Sequence, residues 1–396
     1  MKIEKEEGAG MQKILLVGAG KYGKAAVRYY GIDNIAGFVD NNEAKIGTKI
    51  FGIKVISFTD MLESMSKDKY KVIISSRFHK EIEEQLRENN IVDYEVFSIK
   101  NDKMYYPSCE LVINPYEDNQ HISEEEWNRI NQNNPVINMT RLLVDELKEN
   151  VPLFTHIEIE TINRCNGNCS FCPVSSPNDT REKKIMHREL FDKIIDELAD
   201  MNYTGRIALF SNNEPLLDER LIEFHQYARK KLPNAWFHIF TNGTLLTLEK
   251  FKVLVDLLDE LIIDNYHDEL KLIKPCKEIE KYCMSHPELR EKVTIVLRKA
   301  NEILSTRGGD APNRKNLVSY GEATCALPYK QMIVRPDGKV SLCCNDPLGK
   351  NTLGDLSKES ILDVWYGEKF EEIRRALVAG RKNIEHCTYC DVFNLG

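Results

Sequence analysis

An α/β fold in three parts is predicted by three observations on the 396-residue chain. Short apolar runs alternate with amphipathic segments, glycine- and cysteine-bearing turns fall at the ends of those runs, and a hairpin signal stands near the C-terminus. The parts are an open, mostly parallel N-terminal domain over 11–105, a partial (β/α)6 barrel over 151–310, and a small α+β tail over 311–396. Residues 106–150 connect the first two. The length itself suggests two or three domains.

The N-terminal elements come first. Residues 12–17 (QKILLV) form a short buried strand, followed by Gly18-Ala19-Gly20-Lys21-Tyr22-Gly23 and a helical stretch. Further apolar runs end at Phe38-Val39-Asp40 and cover 54–57 and 71–75, with an amphipathic segment at 79–89. A GxGxxG turn after a strand and before a helix, with Asp40 closing the second strand, predicts a Rossmann-like fold. Gly18, Gly20 and Gly23 permit a tight turn and close approach of a phosphate to the helix N-terminus. Asp40 is placed to accept hydrogen bonds from a ribose. A fold of this type that binds nothing is the alternative. Residues 35–43 with Gly47 and 51–55 resemble the N-terminal domains of bacterial sugar-modifying acyltransferases and polysaccharide-biosynthesis enzymes. That resemblance covers about 11–100 and implies a nucleotide or nucleotide sugar, with NAD second.

The connector is rich in Asn, Asp and Glu, carries Pro107, Pro115 and Pro135, and ends in a helix near 140–148. Barrel strands are expected at 154–160, 206–210, 236–240, 260–264 and 293–297, with helices at 188–201, 219–231 and 248–258. The polar motifs sit at the strands' C-terminal ends, where barrel sites form. In the tail, 331–334, Pro336-Asp337-Gly338 and 339–342 predict a hairpin around an Asp-Gly turn, and an amphipathic helix follows at 361–379.

Eleven cysteines in a chain with no export signal point to metal binding or catalysis rather than disulfides. Cys165, Cys169 and Cys172 place three thiolates within eight residues, enough for three corners of a cubane cluster with the fourth iron open. A zinc loop is the plainer alternative, although no fourth ligand stands beside the triad. The CxxxCxΦC pattern, with Phe171 before the last cysteine, resembles the radical S-adenosylmethionine (SAM) superfamily, over roughly the C-terminal 240 residues. The resemblance implies a [4Fe–4S] cluster whose open iron binds SAM, with Phe171 near the adenine. It also implies one-electron cleavage of SAM to a 5′-deoxyadenosyl radical that removes a substrate hydrogen. Asn212-Asn213-Glu214-Pro215 stands where the family has a Gly-Gly-Glu-Pro-like turn, so the acid that would hold the SAM amino group is kept and the glycines are not. The alternative for Glu214 is a helix-capping turn. Thr241-Asn242-Gly243 resembles the loop that approaches the SAM ribose. Arg307 is a candidate carboxylate clamp.

Cys325, Cys343, Cys387 and Cys390 resemble the twitch domain, the short form of the SPASM extension, which implies a second, auxiliary [4Fe–4S] cluster; a structural zinc on the same thiolates is the alternative. If the reaction is an epimerisation, Cys344 is the candidate hydrogen donor, and Cys109, Cys276 and Cys283 are expected to be structural. With four protein ligands the auxiliary cluster would take up an electron. The relatives that share this tail include an alcohol dehydrogenase of aminoglycoside biosynthesis and epimerases.

The reading that results is oxidation or epimerisation of a carbohydrate-like, possibly nucleotide-linked, small molecule, fed by flavodoxin or ferredoxin. A maturase acting on a ribosomal peptide is the rival enzyme, and a nucleotide-responsive binding protein with structural metals the non-enzyme reading. A net charge of −8 argues against nucleic acid and anionic membrane surfaces. No apolar run approaches the roughly 20 residues of a membrane span, and the acidic N-terminus is no signal peptide. A cytoplasmic location is the default expectation.

Overall fold

The structure, a computed structural model, describes residues 12–65, 70–76, 79–97, 105–107, 135–289, 292–302, 304–314 and 319–393. The chain divides into two compact units. One takes in 1–101 and 133–143, the other 102–132 and 144–394. Cys109 lies outside the described residues.

The first unit holds β1 (Ile14–Val17), β2 (Ile35–Val39), β3 (Lys49–Ile50), β4 (Ile53–Ile56), β5 (Lys71–Ile74) and β6 (Tyr94–Val96), with α1 (Lys21–Tyr30), α2 (Phe58–Met65) and α3 (His79–Glu88). Its strand order is β3-β4-β2-β1-β5-β6, parallel except for the β3–β4 pair. The continuous apolar character of β1, β2 and β5 fits strands buried on both faces. Leu15, Val17, Val39, Val72 and Ile74 pack with Met61, Ile82 and Leu86 from the helices.

The second unit is built on β7 (Tyr105–Pro107), β8 (His156–Ile159), β9 (Arg206–Ala208), β10 (Trp236–Thr241), β11 (Glu260–Tyr266) and β12 (Val293–Arg298). Its helices are α5 (Arg188–Asp200), α6 (Leu221–Lys231), α7 (Leu248–Leu257) and α8 (Lys274–Met284). An earlier helix, α4 (Pro135–Leu147), most of which is assigned to the first unit, begins five residues before the expected start and carries Pro at its first position, where the ring's φ suits a helix. β8 to β12 lie side by side and parallel, each joined to the next through a helix. β13 (Gln331–Val334) pairs parallel with β8, and the hairpin to β14 (Lys339–Ser341) and then β15 (Thr352–Asp355) carries the same sheet to nine strands. Gly338 turns that hairpin at φ +82°, as its Asp-Gly signal predicts.

Helix α5 buries Phe191, Ile194, Ile195 and Leu198, a single stripe at helical spacing. These meet Ile157, Ile159, Ile207, Phe237, Ile239, Leu261, Ile263, Met332 and Val334 from one sheet face. Strand alternation therefore turns His156, Glu158, His238, Asp264, Arg298 and Gln331 to the opposite face. In a filled barrel that face carries layers of branched apolar residues; here it carries charge and hydrogen-bonding groups.

The single helix expected over 361–379 is two: α9 (Ile361–Trp365) and α10 (Glu368–Val378). Gly367 is extended and caps α10. The break lets the fully buried Trp365 donate from Nε1 to the Pro152 carbonyl at 2.9 Å.

Candidate active site

β8 delivers the chain into the loop that carries Cys165, Cys169 and Cys172. Burial, with the neighbouring thiols, pushes Cys165 up to about 11 and Cys169 up to about 12. Thiols held this way need a metal's positive charge to ionise. Gly167 N–H donates to Cys165 Sγ at 3.3 Å. A Cβ on Gly167 would stand 3.2 Å from Cys165 Sγ and 3.8 Å from Cys169 Sγ, so the bare glycine keeps the space between the sulfurs clear. The loop thus fits a cluster on chemistry and shape. Phe171 is buried and stacks obliquely near Tyr266, with centroids 6.2 Å apart.

The turn after β9 lies against this loop. Glu214 is 1 % exposed and both its oxygens are engaged. Oε1 accepts from Thr241 Oγ1 at 2.7 Å and Leu216 N–H at 3.1 Å, and Oε2 accepts from Asn242 N–H at 2.7 Å. Burial raises its pKa against these three donors. The side chain caps the short helical turn that starts at Pro215 and braces the loop after β10. Asn242 Nδ2 in turn donates to Asn166 Oδ1 at 2.7 Å, tying that loop to the cysteine loop. Asn213 Oδ1 accepts from Ser211 N–H, while its buried Nδ2 has no hydrogen-bond partner within the protein. An orphaned donor beside the cysteine loop is what a bound acceptor, such as a SAM carboxylate or ribose, would satisfy.

The inner sheet face supplies residues that carry no motif. Glu158 accepts from Ser211 Oγ at 2.6 Å and from Gln331 Nε2 at 2.7 Å. Gln331 Oε1 accepts from Cys344 N–H at 3.4 Å. Glu160 accepts from Asn212 N–H at 3.2 Å and pairs with Arg181 at 3.5 Å. Burial lifts both carboxyls to about 7, against Ser211 and Arg307 for Glu158 and against Arg181 for Glu160. Arg181 also binds Asp179 and the carbonyls of Asn163, Asn212 and Pro347. One guanidinium thus joins the cysteine loop, the β9 turn and the tail. Arg307 donates to Asn212 Oδ1 and acts electrostatically on Glu158 and Cys344.

In the tail, burial raises the Cys343 thiol, and Cys344, Cys390, Cys325 and Cys387 add to the rise as electrostatic neighbours. The structure therefore gathers the four sulfurs singled out in the sequence. Arg381, 1 % exposed, holds them from behind: it donates to the carbonyls of Thr324, Cys390 and Val392. Among the described residues, no three His, Cys, Asp or Glu side chains converge on one metal ion. Cys344 neighbours Cys343 and Cys390 and is pushed up to about 12 by burial, with Glu158 next. Cys276 and Cys283 are core residues of α8.

In the first unit, Gly18 (φ +120°) approaches β5 so closely that a Cβ would lie 2.5 Å from the Ser75 carbonyl. Gly23 packs on the Gly18 carbonyl, and Gly20 faces open space at an N-cap with no side-chain hydrogen bond. Asp40 Oδ2 already accepts from Ala19 N–H at 2.8 Å and Lys45 Nζ at 2.9 Å. Burial raises its pKa, and these donors with Asn42 N–H outweigh that and hold it low.

Glu158, Glu160, Arg181, Gln331 and Arg381 were not legible as site residues. Glu158 and Glu160 alternate with Ile157 and Ile159 on a strand leading to the cysteine loop, which was a usable signal. Arg181 and Arg381 have none, because their partners come from distant segments.

Comparison with known proteins agrees with this geometry. Residues 159–267 match the radical SAM superfamily, and residues 325–391 match SPASM, an iron–sulfur cluster-binding domain. An S-adenosyl-L-methionine-dependent 2-deoxy-scyllo-inosamine dehydrogenase from Niallia circulans is 29 % identical over 244 residues, 60 % of this chain and 93 % of that protein. The crystal structure of BtrN in complex with AdoMet and 2-DOIA aligns with a TM-score of 0.53 and 28 % identity, over 61 % of this chain and 94 % of that one.

Proposed function

We infer that this chain, which belongs to the radical SAM superfamily and carries a SPASM domain, oxidises a secondary alcohol on a carbohydrate-like small molecule, an aminocyclitol or amino sugar. The observation that carries the reading is the hydrogen-bonded chain Ser211–Glu158–Gln331–Cys344. It runs along the inner sheet face from the β9 turn to the residue beside Cys343, so a polyhydroxylated substrate seated there has both cysteine sites at hand. When bound, a [4Fe–4S] cluster with SAM on Cys165, Cys169 and Cys172 supplies one-electron hydrogen abstraction, and a second cluster on Cys325, Cys343, Cys387 and Cys390 supplies an electron acceptor.

The protein's own residues do the rest. Arg181 fixes the β9 turn against the cysteine loop, Glu214 shapes the loop after β10, and Asn213 Nδ2 offers a donor to SAM. Arg307 and Glu158 present a cation and an anion to substrate hydroxyl and amino groups. The N-terminal unit is read as a nucleotide or nucleotide-sugar site, with NAD second, on the open approach at Gly20. A flavodoxin or ferredoxin is the electron donor in this reading. The ten described cysteines form no disulfide with one another, and cluster ligation of seven of them suits a reducing, cytoplasmic setting.

Anaerobic reconstitution tests the reading. Wild type should bind about eight irons and the Cys165/Cys169/Cys172→Ala variant about four. Reduced wild type with SAM and 2-deoxy-scyllo-inosamine, or an aminocyclitol like it, should form a ketone. About four irons falling to none, with zinc in the tail, removes the dehydrogenase reading.

Epimerisation is the second reading, favoured by the placement of Cys344. Its thiol stays protonated and has Glu158 and Arg307 as electrostatic neighbours, where it could return a hydrogen atom. Cys344→Ala should then abolish solvent-hydrogen incorporation into product; intact turnover excludes it.

A further inference from the structure

We propose that Glu158 is the proton acceptor that takes the substrate hydroxyl proton during oxidation, a role that rests on the dehydrogenase reading above. The inner face of the barrel holds several carboxylates, and their partners separate them. Glu160 faces the Arg181 guanidinium, and Asp264 faces Arg298 at 3.2 Å. Glu302 is bound by Arg298 as well, at 3.1 Å. A carboxylate paired with a guanidinium gives up that ion pair when it takes a proton. Glu158 instead accepts from two neutral donors, Ser211 Oγ and Gln331 Nε2, one on each oxygen. Each oxygen keeps a second lone pair for a substrate hydroxyl.

Position adds to this. Ser211 opens the turn that continues into Asn212, Asn213 and Glu214, while Gln331 lies on β13 and holds Cys344. The base therefore stands where hydrogen abstraction and electron removal meet. The charged and titratable groups that face it are His156 of its own strand, at 3.8 Å, Arg307 from the loop after β12, and Cys344 from the tail. Burial, opposed by the Ser211 hydrogen bond and by Arg307, brings Glu158 to about 7, near the value at which a general base works best at neutral pH.

The carbinol C–H bond breaks with its hydrogen atom leaving to the deoxyadenosyl radical, which becomes 5′-deoxyadenosine. The O–H bond breaks with its proton passing to a Glu158 oxygen. The remaining electron would pass to the oxidised cluster that Cys325, Cys343, Cys387 and Cys390 would hold, and the C–O bond becomes C=O. A carbon-centred radical is a strong enough reductant for that transfer only once its hydroxyl has lost the proton, so removing the base should uncouple the two halves.

The test is Glu158→Gln in the reconstituted holoenzyme. Ketone formed per 5′-deoxyadenosine should fall by about 10²-fold, with iron content and SAM cleavage retained, and Glu158→Asp should restore part of the coupling. In wild type the coupling should decline on the acid side with a midpoint near 7, and the Gln variant should lack that limb. An independent readout is the pH-dependent infrared difference spectrum of the resting holoenzyme: the protonated carboxyl absorption titrating near 7, to which Glu158 and Glu160 both contribute, should lose the Glu158 share in the Gln variant and keep the Glu160 share. Wild-type coupling in Glu158→Gln, or an unchanged carboxyl band, overturns the assignment while leaving the dehydrogenase reading intact. Loss of SAM cleavage or of iron in both variants also overturns it, by assigning Glu158 a structural role. A wild type that makes no ketone from any aminocyclitol sinks the function itself, and the base with it.

Discussion

At the scale of single residues, the cysteine loop depends on an absent side chain. Gly167 needs no unusual backbone angle, so what it contributes is space. A methyl group there sits between Cys165 and Cys169 within contact of both sulfurs. Gly167→Ala should therefore lose the SAM-binding cluster alone, reading about four irons instead of about eight with unchanged circular dichroism; full iron content would show that the loop opens to make room. Arg181 is the converse case, a charge whose removal strands others. Glu160 and Asp179 are both buried beside it. Arg181→Met should cost about 3–5 kcal/mol in chemical denaturation, and a loss below about 1 kcal/mol would mean that water reaches the pair. Glu158 makes a pH prediction for stability. Its folded value is raised from 4.5 to about 7, so the folded state holds a proton that the unfolded chain releases between those values. The stabilisation is complete below about 4.5 and is lost as pH rises through about 7. Between pH 5 and 8 wild type should lose on the order of 2 kcal/mol more than Glu158→Gln, measured by denaturant titration at each pH. Equal slopes would mean an ordinary carboxyl.

Between residues and the whole stand the elements, and here the reach of the sequence can be judged. Strands β8 to β12 fall where apolar runs predict, because each buries one face under a helix and alternation is a local property. The glycine turn at 18–23 and the hairpin at Gly338 are legible for the same reason, since a positive φ leaves a residue-specific mark. The break at Gly367 is not legible. One glycine inside an amphipathic pattern costs about 1 kcal/mol, too little to interrupt it, and what decides the matter is Trp365 reaching Pro152 two hundred residues away. The loop 306–309 is the functional instance of this long-range control. Arg307 has φ +52° and Gly308 φ +66°, and the segment is held by the tail. Thr306 N–H donates to Asp391 Oδ1 at 2.9 Å and Thr306 Oγ1 donates to the Tyr389 carbonyl at 2.8 Å. The His386 ring covers Gly308, where a Cβ would come within 2.2 Å of Nε2. Gly308→Ala should swing Arg307 off Asn212 and lower kcat/KM by about tenfold or more at unchanged iron content. Retained kcat/KM would show that the tail does not set the position of Arg307.

For the whole molecule, the question is which parts the chemistry needs. The seven proposed cluster ligands and the inner-face residues Glu158, Arg181, Arg307 and Gln331 all belong to the second unit. That unit has its own apolar core, made from β8 to β13 and the helices around them, and the first unit has another. Separate cores are what allow units to fold apart. The Niallia circulans dehydrogenase points the same way, since nearly all of it aligns with 60 % of this chain. A fragment spanning 148–396 should then bind about eight irons and cleave SAM at a rate close to that of the full chain. Its cost should appear at the sheet edge, because β7 pairs with β12 and is missing from the fragment. A bare parallel edge invites association between copies, so the fragment should run larger than a monomer on size exclusion unless residues 102–147 are restored. If the fragment takes up no iron even with those residues back, the first unit is required for folding and the two cores are not independent. If it takes up iron and cleaves SAM but oxidises substrate only when the first unit is covalently attached, the glycine turn at Gly18, Gly20 and Gly23 serves substrate delivery, and titrating nucleotides and nucleotide sugars into the full chain would identify what it holds.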